Sequence, residues 1–122
     1  MSYLPYKRAD RVAVLLQEEI SRVIFEELKD PRVGRVTITR VRLTDDLKFA
    51  RVYFNVLGGA EQAVQCLAGL RRAKGFIRNQ IRLNTDLRFI PELEFHYDDT
   101  LDYSDRIEEL LKEIHSSQAG KE

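Results

Sequence analysis

The chain has 122 residues, 43% hydrophobic and 33% charged, a composition that suits one globular domain with a sizeable core and excludes a disordered or fibrous chain. Its net charge is zero but unevenly laid: residues 1–66 carry 11 basic and 9 acidic side chains, residues 67–89 carry 6 and 1, and residues 90–122 carry 3 and 10. No apolar run reaches membrane-spanning length, the first residues lack a signal-peptide core, and the lone Cys66 excludes an internal disulfide, so the expected address is the cytoplasm, with no membrane contact.

Residues 1–10 read as an extended arm entering a helix, with Lys7, Arg8 and Arg11 near its head. Val12, Leu15, Leu16, Ile20, Val23, Ile24 and Leu28 then recur at helical spacing among glutamates. Asp30-Pro31 ends the helix, because a residue before proline avoids the α region. Val36 to Leu43 is β-branched and reads as a strand whose alternation changes phase. Either both of its faces are partly covered or a bulge sits near Thr39 and Arg40. Thr44-Asp45-Asp46-Leu47 supplies a turn, and Phe49 to Val56 a second strand with Ala50, Val52, Phe54 and Val56 on its core face. So brief a connection predicts an antiparallel hairpin.

After Gly58-Gly59 comes the most informative stretch. Leu67, Leu70, Ile77 and Ile81 share one helical stripe, and Arg71, Lys74, Arg78 and Arg82 fall beside it. Val64 is expected on the buried side as well. Gly75 costs about 1 kcal/mol in a helix interior, so Ala73-Lys74-Gly75 is expected to be a kink where two helices meet. From Arg71 to Arg88 only Asp86 opposes six cations. The pattern fits a phosphate-binding surface, and it also fits a solvated helix face. Asn84-Thr85-Asp86 closes the second helix, Pro91 precedes a strand with Leu93, Phe95 and Tyr97 on one side, and Ile107, Leu110, Leu111 and Ile114 predict a short last helix. The expected organisation is one α+β domain over residues 1–122, ordered over about 5–115 with a flexible tail at 116–122, and a three-stranded sheet covered by helices on one face.

Residues able to carry chemistry are sparse. Glu92, Glu94 and His96 alternate as any solvated strand face would; Asp45-Asp46 and Asp98-Asp99 read as turn and cap residues; Cys66 reads as a small packed residue. Tyr53 and Phe49 at strand positions read as core rather than as stacking platforms. No phosphate-binding loop or zinc spacing occurs, so no metal, cofactor or enzymatic activity is expected. A different class of reading makes the acidic C-terminal third, with Glu108, Glu109 and Glu113, a dock for a basic partner.

An α-β-β-α-kink-α-β-α order with a helix pair between the second and third strands resembles a type II KH domain, although Ala73-Lys74-Gly75 replaces the Gly-x-x-Gly clamp. That Ala-x-Gly joint is similar to the one in the ribosome-binding factor A family. So are Arg8-Ala-Asp-Arg-Val12, Leu28-Lys-Asp-Pro-Arg-Val-Gly34, Val41-Arg-Leu-Thr-Asp-Asp-Leu47, Ala50-Arg-Val-Tyr53, Ala73-Lys-Gly-Phe-Ile-Arg78 and Leu87-Arg-Phe-Ile-Pro-Glu-Leu-Glu-Phe95. The resemblance implies a non-enzymatic assembly factor that binds the small (30S) ribosomal subunit; nothing in the sequence suggests obligate dimerisation, so a monomer is expected when free. The resemblance also implies help in the late maturation of 16S rRNA, above all in the cold. The RNA contacts would then be Lys7, Arg8, Arg11, Arg71, Arg72, Lys74, Arg78, Arg82 and Arg88, held by the kink at Ala73 and Gly75.

Overall fold

A computed structural model describes residues 8–33, 35–100 and 111. The elements are α1 (Arg8–Glu26), β1 (Val36–Leu43), β2 (Phe49–Val56), α2 (Gly59–Asn84) and β3 (Glu92–Tyr97). Of the arm expected over residues 1–10, Arg8, Ala9 and Asp10 are already the first turn of α1, while residues 1–7 and the last helix around Ile107, Leu110 and Ile114 lie outside the described residues.

Helix α1 buries Ala9, Ala13, Leu16, Ile20, Val23 and Ile24 at intervals of three or four, while Arg22 on its wet side pairs with Glu19 at 3.1 Å and Glu26 at 3.2 Å. Leu15, expected to be buried, is 37% exposed at the margin of that stripe. In β1 the phase change is a bulge. Ile38 pairs with Phe54 and Arg40 with Tyr53, so Thr39 is the extra residue, and Ile38 and Val41 both point into the core despite lying three apart. The Thr39 hydroxyl, displaced from the ladder, donates to Asp98 Oδ2 at 2.6 Å. Between β1 and β2, Asp46 Oδ1 accepts from the Thr44 hydroxyl at 2.6 Å and the Lys48 amide at 3.0 Å, which closes the hairpin.

β2 is the central strand, antiparallel to β1 and parallel to β3. A parallel pair needs a long crossover, and α2 supplies it. Ala50, Val52, Phe54, Val56, Leu93 and Phe95 face α1 and α2; Arg42, Arg51, Tyr53, Glu94 and His96 face the other way. The result is an α+β layer with the KH-like type II order.

Two expectations about α2 need correction. The helix pair is one helix, 26 residues long, passing through Ala73, Lys74 and Gly75 without interruption. The physical reason is a comparison of magnitudes. Gly75 costs about 1 kcal/mol, whereas fully buried Leu70, Ile77 and Ile81 on either side of it each contribute about 1.5–3 kcal/mol. Gly75 itself is exposed, and a Cβ there would meet nothing within 4 Å. The second correction is Val64, which is 72% exposed, because the buried face follows Ala63, Cys66, Leu70, Ala73, Ile77 and Ile81. Gly58 opens the helix at φ 108°, where any side chain would be strained and would also run into Gln62. Thr85 closes it, its hydroxyl donating to the Ile81 carbonyl at 2.7 Å.

Candidate nucleic-acid interface

Helix geometry places Arg71, Lys74, Arg78 and Arg82 on one side of α2 over about 16 Å of its length. They are not equivalent. Arg71 and Arg82 are exposed and make no ion pair among the described residues. Lys74 Nζ lies 3.4 Å from Glu92 Oε1. Arg78 donates from Nε to the Pro91 carbonyl at 3.1 Å and from Nη2 to the Ile90 carbonyl at 2.9 Å, with Nη1 4.0 Å from Glu92. Lys74 and Arg78 therefore fasten the helix to the chain entering β3. That contact anchors the end of the α2–β3 connection, on which exposed Arg88 stands.

Arg72 is exposed on the flank of α2 that meets the α1–β1 connection. There Arg32 grips Asp30 with Nε at 3.0 Å, Nη2 at 2.6 Å and its own amide at 2.9 Å. Those hydrogen bonds, with a smaller contribution from the charge of Arg72, hold the Asp30 carboxyl down at about 2. Gly69 allows this approach, since a Cβ there would lie 2.9 Å from Val33 Cγ2. Arg8 and Arg11 are exposed in the first turns of α1, and Lys7 falls outside the described residues. Ala73 is buried beneath the basic edge.

Sequence reasoning missed several groups. Phe76 and Leu83, seven apart and so on one side of α2, are 42% and 68% exposed, and Phe89 beside Arg88 is 78% exposed. Their signal was an apolar residue out of phase with the buried stripe. Phe49 and Tyr53, read as core, stand on the outward face of the sheet. The Arg40 guanidinium sits 4.5 Å from the Tyr53 ring centre, and the His96 ring 5.7 Å from it on the other strand.

Two of the groups suited to bond chemistry are engaged or buried. Glu92 takes Lys74 and Arg78, and burial pushes the Cys66 thiol up to about 11, so it stays protonated and unreactive. No group of three metal-ligating side chains occurs among the described residues. No helix there is long and apolar enough to cross a membrane. Glu108, Glu109 and Glu113 of the acidic reading lie outside the described residues.

Comparison with known proteins gives one answer. The family model described as ribosome-binding factor A matches residues 8–111. A relative of that name from Syntrophobacter fumaroxidans is 46% identical over 117 residues, 94% of this chain and 100% of its own. Another, from Geobacter metallireducens, is 44% identical over 96% of this chain and 99% of its own. Among solved structures, the crystal structure of ribosome-binding factor A from Thermus thermophilus superposes with a TM-score of 0.65 at 26% identity, covering 73% of this chain and 93% of that one. A structure of the Thermus thermophilus factor fitted into a cryo-electron microscopy map of its 30S complex matches at TM-score 0.59 and 28% identity, over 70% of this chain and 90% of that one.

Proposed function

The chain belongs to the ribosome-binding factor A family, and from that premise we propose that it binds the small (30S) ribosomal subunit and assists late maturation of 16S rRNA. The observation that carries the reading is a set of exposed guanidinium groups on a rigid support: Arg71, Arg72 and Arg82 on α2, Arg88 just beyond it, and Arg8 and Arg11 on α1. Arginine suits RNA phosphates because its planar fork donates two parallel hydrogen bonds. Lys74 and Arg78 support the array by fixing α2 against β3, and each retains donors for a weaker share in phosphate contact. The helix runs through Ala73 and Gly75 without interruption, so the array stands on one support. Contacts of this kind recognise backbone and shape rather than base sequence.

The work is binding work. A factor that holds immature RNA in one conformation must bind that state more tightly than its competitor, by about 5.5 kcal/mol to move a 1:99 mixture to 99:1. The need for such help is greatest in the cold, where trapped RNA conformers rearrange slowly. Pelleting with purified small subunits tests the reading. The triple variant R71E/R72E/R82E is expected to lose binding while its thermal midpoint stays within a few degrees of the parent. Equal loss of fold and binding would make those side chains structural, and intact binding would remove the basic edge from the interface.

A further inference from the structure

The outward face of the sheet, turned away from α1 and α2, carries a second constellation. Cross-strand register sets Arg42 opposite Arg51, and Arg51 beside Glu94. Like charges directly opposite on a sheet repel, with Cβ atoms only about 5 Å apart. Both arginines are exposed, and among the described residues neither makes an ion pair. They line a shallow depression of about 460 Å³ together with Thr44, Phe49 and Glu94. The Phe49 ring, 47% exposed, stands two residues from Arg51 on the same face. In the neighbouring row Arg40 lies over the Tyr53 ring and His96 packs against that ring at a tilt, which fills the floor beside the depression. Two guanidinium groups against one carboxylate, with neither arginine in an ion pair among the described residues, stand next to an open aromatic ring, and a phosphate with its adjoining base needs such a site.

We propose that Arg42 and Arg51 hold one RNA phosphate between them on this sheet face, which no described helix covers, with the Phe49 ring stacked on an adjacent base. The anion neutralises the repulsion that the register imposes, and Glu94 repels a second phosphate. The proposal rests on the ribosomal reading above and adds to it a contact on the side opposite α2. The domain then lies between two RNA segments, and fixes their placement rather than only adhering to one.

The test is a salt titration of binding to purified small subunits for the parent, R42Q/R51Q, R42K/R51K, F49A and R71E/R72E/R82E. R42Q/R51Q is expected to bind more weakly with a salt slope lower by about 0.7, the share of one single-strand phosphate. The lysine pair restores most of the slope, F49A weakens binding about tenfold, and the thermal midpoint of R42Q/R51Q equals or exceeds that of the parent. A photoreactive benzoylphenylalanine in place of Phe49 is expected to crosslink to ribosomal RNA. Parent-like affinity and slope in R42Q/R51Q overturn the second contact alone, provided R71E/R72E/R82E has lost binding. A crosslink to a ribosomal protein also overturns it, by making the occupant an acidic protein surface. Failure of the parent itself to bind subunits takes down the ribosomal reading and this contact with it.

Discussion

Asp30 ends no strand and caps no helix, yet three donors of Arg32 converge on it and fix the connection between α1 and β1. Its carboxyl, near 3.8 when free, is held at about 2 in the fold. A carboxyl lowered in this way stabilises the folded chain fully above its free value and stops doing so as the pH falls toward 2. Asp30→Asn is therefore expected to melt below the parent at pH 6, with the gap shrinking through pH 4 and 3 and closing near pH 2. Thermal midpoints across that range check it, and a gap independent of pH would leave the carboxylate charge with no share. Single residues were legible where the signal was local. The flip of alternation at Thr39 and Arg40 narrowed β1 to a bulge or two half-covered faces, of which the bulge is the one present, and the isolation of Cys66 pointed to its packed role. Arg78 was not legible, because its partners are carbonyls of Ile90 and Pro91, which every sequence possesses and only a fold brings near. Phe49 was missed because aromatic side chains in strands are more often core; its exposure follows from its place opposite Ala50 in the pleat.

At the level of elements, the two interior glycines of α2, Gly69 and Gly75, separate local cost from packing. Gly75 shows its cost in the sequence, but the burial that outweighs it depends on contacts with the sheet and α1, so it was read as a joint. With open space at its Cβ position, Gly75→Ala is expected to stabilise the chain by about 0.5–1 kcal/mol, an upward shift of roughly 2–4 °C in the melting midpoint. Gly69→Ala should act in the opposite direction, since the added methyl meets Val33 and the side chain of Arg32 from a packed connection. Calorimetry on the two variants decides it; a fall in midpoint for Gly75→Ala would mean that the continuous helix has to bend there. The parallel pairing of β2 and β3 was equally out of reach, for alternation gives a strand its faces and not its neighbour or direction.

Charge is a property of the whole molecule, and it was readable from the sequence because it needs only counting. Residues 67–89 hold 6 basic side chains to 1 acidic, and residues 90–122 hold 3 to 10, so a neutral chain is dipolar. The structure refines the expected contacts by committing Lys74 and Arg78 internally, which leaves Arg8, Arg11, Arg71, Arg72, Arg82 and Arg88 as their exposed members among the described residues. If those six each neutralise a phosphate, the logarithm of affinity should fall with the logarithm of salt at a slope of about 4, and affinity should drop roughly two to three decades between 50 and 200 mM. The phosphate at Arg42 and Arg51 would steepen that slope by less than one unit. A slope below about 2, measured by equilibrium binding to small subunits, would mean that apolar or protein contacts dominate. In that case Phe76, Leu83 and Phe89, not the guanidinium groups, would be the side chains whose truncation costs most, and alanine variants at the three positions would show it.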